Sequence, residues 1–170
     1  GTSLPKFTYG FTMNLAYKGF DMLVFGQGAG GNMIYQGLRR LDISTANYQT
    51  EVMGRWTGPG STNSYPRVNT DDSNKNFTNP SDFNLQKGDF FRFKTIQLGY
   101  SFPKEWIESI SLQKVRLYVT GENLWTITKY TGYDPEIGGP TTAGMNNVQG
   151  VDRGYYPQAK SYMLGVNLQF

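Results

Sequence analysis

Cysteine and histidine are both missing from this chain of 170 residues. The chain therefore has no thiolate nucleophile, no imidazole base and none of the usual zinc ligands, which removes much of enzyme chemistry. No cofactor is expected. Concentrated charge is missing too: the net charge of +3 comes from Lys and Arg scattered along the chain, so no nucleic-acid surface is expected. No window approaches the roughly 18–20 consecutive apolar residues that a membrane helix needs. A spanning helix is excluded, but a spanning barrel is not, because its strands are only half apolar. The opening GTSLPKF has neither a charged n-region nor an apolar h-region, so any export signal is expected upstream of Gly1.

What is present points to strands. Only 38% of the residues are hydrophobic, yet 12 Tyr, 11 Phe and 3 Trp stand beside 21 Gly, a composition suited to sheets with one apolar face. The clearest pattern is 7–18 (FTYGFTMNLAYK), where Phe7, Tyr9, Phe11, Met13, Leu15 and Tyr17 alternate with Thr8, Gly10, Thr12, Asn14, Ala16 and Lys18. Period two places the two sets on opposite faces of a strand. Lys18-Gly19 predicts a tight turn and 20–27 a returning strand, with Leu23 and Phe25 interrupting its polar side. A third strand is expected over 90–102. There Arg92 and Lys94 share the parity of Ile96, Leu98, Tyr100 and Phe102, so either the upper part stands clear of a membrane or a bulge switches faces. Residues 103–111 read as a short connection with one helical turn begun by Pro103. A fourth strand, 112–123, sets Val115, Leu117 and Val119 against Arg116, Tyr118, Thr120 and Glu122. A fifth, 159–170, puts Tyr162, Leu164, Val166, Leu168 and Phe170 on its apolar face and Gly165 on the other.

The connections alternate in length. Residues 28–88 lack a sustained strand and carry the loop signals Gly58-Pro59-Gly60 and Asn79-Pro80, with a short helix expected over 47–56, where Tyr48, Val52 and Trp56 share one face. Residues 124–157 form a second long connection. Short, long, short, long is the order of an outer-membrane barrel, whose periplasmic turns are short and whose extracellular loops are long. The expected fold is therefore all-β: five antiparallel strands of a transmembrane β-barrel, with two long extracellular loops. A soluble β-domain that binds carbohydrate through aromatic loops is the alternative, and it requires the apolar rows to be buried against a second sheet.

Several runs resemble the C-terminal region of the SusC/RagA class of TonB-dependent outer-membrane transporters. They are Phe90-Phe91-Arg92 through Pro103, Val119-Thr120-Gly121-Glu122-Asn123-Leu124, Lys129 through Glu136 (KYTGYDPE), Gly154-Tyr155-Tyr156-Pro157, and the closing Leu164-Gly165-Val166-Asn167-Leu168-Gln169-Phe170. Tyr9-Gly10-Phe11 and Gly19-Phe20-Asp21 fit as well, so the matches run in order along nearly the whole chain. The resemblance implies that the five are the last five antiparallel strands of a large transmembrane β-barrel: residues 1–170 are the final part of a barrel of about 22 strands, with the plug and most strands absent from this chain. It implies import of large nutrients, glycan or peptide, across the outer membrane of a Gram-negative, Bacteroidetes-type bacterium, with no bond made or broken. The implied partners are a SusD-like surface lipoprotein, the TonB complex (through the missing N-terminal part), outer-membrane lipid and the barrel-assembly machinery. Gly165, Leu168 and Phe170 resemble the insertion signal read by that machinery, with Met163 as a departure where a polar residue is usual.

Other candidate sites have plainer readings beside the sharper ones. Asp134 and Glu136 could be a glycosidase pair, but two carboxylates in a Pro-containing turn more often form Asx-type bonds or meet an Arg. Asn69, Asp71, Asp72 and Asn74 offer oxygens to calcium without the Gly and distal Glu of an EF-hand. Gly28, Gly30 and Gly31 make a weak phosphate loop with no Lys-Ser/Thr after it, so flexibility at a loop root is expected. Trp56, Trp125, Tyr130, Tyr133, Tyr155 and Tyr156, in or beside the long loops, are candidates for ligand or lid contact. Against that stands packing of the loops on one another, since loops this long need a core of their own.

Overall fold

Lys18 and Gly19 both have positive φ, 47° and 86°. Positive φ at both central residues is the type I′ turn, whose twist matches that of the strands it joins, and Tyr17 accordingly pairs with Phe20 across it. From this hairpin the chain builds outward. The computed structural model describes residues 1–40, 43, 46–108, 112–137 and 149–170. Among them the strands are β1 (Phe7–Tyr17), β2 (Phe20–Gly30), β3 (Met33–Gln36), β4 (Leu85–Lys87), β5 (Phe90–Ser101), β6 (Lys114–Thr128), β7 (Val151–Asp152) and β8 (Ser161–Gln169), with one helical turn, α1 (Lys104–Ile107), behind Pro103.

The five long strands form one antiparallel meander, in the order β1-β2-β5-β6-β8. The remaining three form a small sheet, β4-β3-β7, in which β3 pairs antiparallel with β4 and parallel with β7. The all-β expectation holds, with that single parallel pairing as a departure from purely antiparallel structure. The small sheet gathers both long connections, because β3 and β4 come from one and β7 from the other.

Several boundaries shift. β2 runs on to Gly30, and β3 and β4 occupy part of what reads in sequence as strandless. The helix expected over 47–56 is a 3-10 turn, Thr50–Gly54. The fourth strand extends to Thr128, past the expected end at 123. Residues 109–111 of the short connection and 138–148 of the second long one lie outside the described residues.

Of the two ways to reconcile Arg92 and Lys94 with Ile96, the structure adopts the bulge. Phe25 pairs with Thr95 and Gly26 with Phe93, leaving Lys94 unopposed, and on the other side Phe93 and Thr95 face Trp125 and Glu122. The irregularity on β6 falls at Asn123, whose φ is 52°, a conformation that Asn tolerates better than most residues. Above the bulge the polar face of β5 carries Arg92; below it, Thr95 and Gln97.

Burial is unusual in its placement. Ile34, Phe77 and Tyr130 in the loop region are buried, whereas Phe7, Phe11, Leu15, Leu164 and Leu168 on the long strands are exposed. Among the described residues no second sheet covers that apolar face, and such cover is what the soluble sandwich requires.

Candidate functional site

On the polar face, charges are paired across strands. Asp21 on β2 receives Arg116 on β6 at 2.5 and 2.8 Å. Arg116 also donates to Gln97 at 2.9 Å, and Gln97 donates to Thr120 at 2.9 Å. This network spans β2, β5 and β6. It explains how a sheet face carries a guanidinium without leaving it unpaired.

Higher on the same face lies a second cluster. Arg92 is 2% exposed and donates to Asp134 (2.5 Å), Glu136 (3.0 Å) and Thr126 (2.8 Å). Lys94, the bulge residue, reaches Glu136 at 2.7 Å, and Gln27 donates to the same carboxylate at 3.3 Å. Asp134 also accepts from the backbone N–H groups of Glu136 and Gln158, both at 2.9 Å. The carboxylate pair is thus held by two cations and its own turn, the plainer of the two readings. The cluster straps the 131–137 segment onto the sheet. Beside it a cavity of about 510 Å3 opens among Thr8, Gln27, Asn32 and Glu136.

The loops have their own core. Phe77 meets Tyr48 edge-on at 5.1 Å and Tyr65 at 5.8 Å, Tyr65 meets Phe83 at 5.2 Å, and the Arg39 guanidinium lies 4.2 Å from the Tyr48 ring centroid. Tyr130 is buried and donates to Asp152 at 2.6 Å; Asp152 also accepts from the N–H groups of Gly154 and Tyr155. Burial, and next that hydrogen bond, push the Tyr130 phenol pKa up. Asp72 is likewise engaged by backbone, accepting from Phe77 and Thr78 N–H groups, and Asp71 accepts from the Ser73 N–H.

The six aromatic candidates therefore separate. Tyr130 is loop core. Tyr133 and Tyr156 are exposed, and Tyr155 and Trp56 are half-buried, Trp56 with Arg67 5.9 Å from its ring centroid beside a cleft of about 680 Å3. Trp125 is not in a loop: it stands on β6, on the apolar face, at 90° to Phe93. The insertion-signal candidates lie at the close of the chain. Gly165 is opposite Tyr118 on the polar face, where that ring occupies the space a Cβ would take, and Leu168 and Phe170 are exposed.

Aromatic side chains run across the apolar face at both of its ends, and Phe91, Phe93, Trp125 and Trp106 join rows that the alternation of the strands alone already outlines. At one end Phe7–Tyr9–Phe91–Phe93–Trp125 form a chain with centroid separations of 6.1, 5.9, 5.1 and 6.2 Å. Under it, Gly26, Gly28 and Gly30 of β2 leave room for the rings of Phe91, Tyr9 and Phe7. Gly28 and Gly30 are thus strand residues roofed by aromatics rather than a flexible loop root. At the other end Phe20–Tyr100–Phe102–Trp106 form a second chain, at 4.6, 5.3 and 6.2 Å. Met13, Met22, Val24, Ile96 and Leu98 lie between.

A polar, ion-paired face backed by an apolar face with an aromatic row at each end is the pattern expected of a strip of outer-membrane barrel wall. The same fold occurs in the RagAB peptide importer in its open-open state (TM-score 0.73, 23% identity, 98% of this chain and 17% of that chain) and its closed-closed state (0.71, 23%, 99% and 18%). No family model matches the chain. Among curated proteins it is 33% identical to TonB-dependent receptor P3 of Formosa agariphila over the whole chain, and 28% identical to TonB-dependent receptor SusC of Bacteroides thetaiotaomicron over 95% of it. Along its whole length the chain is thus similar to TonB-dependent receptors, SusC among them. It spans 17% of the length of receptor P3 and 15% of SusC. These relatives are receptors and importers rather than enzymes.

Proposed function

We propose that residues 1–170 are the C-terminal barrel wall of a SusC/RagA-type importer in the outer membrane of a Gram-negative bacterium, moving a large nutrient, glycan or peptide, with energy delivered by TonB. The observation that carries this reading is the pair of aromatic rows. Outer-membrane barrels place aromatic girdles at both water interfaces with an apolar band about 25 Å tall between them. Tyr9 to Tyr17 covers about 26 Å along the strand at about 3.3 Å per residue. The two short connections share the end with Phe20, Tyr100 and Phe102, which makes that end periplasmic; the long loops then face outward.

The polar face lines the lumen or meets a plug from the part of the protein outside this chain, the part that also contacts TonB. The exposed rings of Tyr133 and Tyr156, and Trp56 with its cleft, are the surfaces offered to a SusD-like lipoprotein or to the nutrient. Gly165, Leu168 and Phe170 serve as the insertion signal for the barrel-assembly machinery. Fractionation of the full-length receptor tests the reading: it should be recovered with the outer membrane and require detergent for release. Deletion of Phe170 should slow its insertion several-fold. Recovery in the soluble fraction would sink the membrane assignment, and unchanged insertion would remove the role of Phe170.

A further inference from the structure

The apolar face is not uniform. Near the Lys18-Gly19 turn a groove of about 500 Å3 crosses it, lined by Met22, Leu98 and Val119 and, toward the turn, by Tyr17, Phe20 and Tyr100. The ammonium of Lys18 lies 5.2 Å from the centroid of the Tyr17 ring, so a cation stands at the mouth of the groove. Lys18 has no carboxylate partner among the described residues, and it is exposed. The same end also carries Lys104 and Lys114, with Glu105 and Glu108 as counter-charges on the connection. The conformation of Lys18 is a further clue. Its φ of 47° is one that Asn, Asp or Gly adopts more readily, and the first position of a type I′ turn normally holds one of these. A long cation occupies a position where local geometry prefers a short polar residue.

From these observations we infer that the groove and Lys18 form a seat for one phospholipid, its acyl chain lying along Met22, Leu98 and Val119 and its phosphate paired with the Lys18 ammonium. Tyr17 and Phe20 flank the boundary between the two. The occupant is a bilayer phospholipid because the groove is continuous with the apolar rows between the aromatic belts, and because the charge at its mouth is complementary to a phosphodiester. The seat rests on the membrane-wall reading and adds to it a specific site and ligand class. It also gives the periplasmic end a fixed lipid contact at its turn, alongside the general aromatic belt.

The test uses the full-length receptor in detergent, titrated with dioleoylphosphatidylglycerol or with dioleoylglycerol, which has the same chains and no phosphate, and read by native mass spectrometry. Two variants separate the parts of the seat. Lys18→Asn removes the charge while suiting the turn, and Leu98→Trp fills the groove. Wild-type receptor should retain phosphatidylglycerol over dioleoylglycerol about five-fold, the value of one lysine near an anionic headgroup. Lys18→Asn should abolish that preference, and Leu98→Trp should lower the number of retained lipids by one. Equal retention of the two lipids by wild type, or wild-type behaviour in either variant, overturns the seat. Failure of the membrane reading itself is distinguishable, because the receptor would then leave the outer-membrane fraction before any lipid is added.

Discussion

Arg92 is the residue on which the inner cluster depends. It is buried with Asp134, which is 6% exposed, and removing one member of a buried ion pair strands the other without solvent. Arg92→Met should therefore cost about 3–5 kcal/mol locally. Hydrogen exchange in the full receptor should show the Glu136 and Gln158 amides, both donors to Asp134, losing protection. Unchanged protection would mean the strap does not hold the loop. Glycines of the main sheet should differ sharply from one another. A Cβ on Gly28 would meet the Phe90 carbonyl oxygen and, at 2.5 Å, the Tyr9 ring, whereas one on Gly10 meets nothing closer than 3.7 Å. Gly28→Ala is expected to cost about 1–3 kcal/mol through overpacking against backbone. Gly10→Ala should leave the temperature at which folded gel mobility is lost unchanged.

Tyr130 gives the loop region a dependence on pH. A tyrosine in an unfolded chain releases its proton near pH ~10, while the folded Tyr130 holds it further into the alkaline range. Above that pH the folded state binds more protons than the unfolded one, so this contribution is complete below pH ~10 and is lost as pH rises beyond it. Limited proteolysis of the loops across pH ~9 to ~11 should show the wild type becoming sensitive. Tyr130→Phe should lack the alkaline slope, although it should also be less stable at neutral pH by about 1–3 kcal/mol, with Asp152 left short of a donor. An equal slope in both proteins would place the titrating group elsewhere.

At the scale of elements, the strands were legible wherever period two ran unbroken. β1 and β8 follow their sequence pattern almost residue for residue, because no neighbour forces a change of face. The upper halves of β5 and β6 were not fully legible. Their alternation reverses at Lys94 and Asn123, and a reversal shows in sequence only as a parity conflict whose position is set by the partner strand. Trp125 consequently reads as a loop residue when it is part of a belt. The β2 glycines were misread for a related reason: a glycine in a strand is explained by the ring that covers it, and those rings come from β1 and β5. The parallel pairing of β3 with β7 joins segments far apart in the chain and carries no local signal at all. The bulge is itself testable. Asn123→Gly should be tolerated, whereas Asn123→Val, a branched residue at positive φ, should cost about 1–2 kcal/mol and lower the temperature of mobility loss.

At the scale of the whole molecule, the main sheet is open. β1 and β8 are its edges, each with one side unpaired among the described residues, and the apolar face lies bare. Unpaired edges and a contiguous apolar surface both invite self-association. The isolated chain should therefore aggregate in buffer and become monodisperse only in detergent, as judged by light scattering. A monodisperse chain in plain buffer would favour the soluble carbohydrate-binding alternative.

The small sheet has a consequence for how the loops can change. β3 from one loop pairs with β7 from the other, and Gln36 and Gln86 of the first loop both donate to Thr131 of the second. Two excursions separate in the chain thus behave as one inheritable part. A graft of either loop alone into a related receptor would arrive without the strand that pairs with its own β3 or β7, whereas the two exchanged together would bring their joint with them.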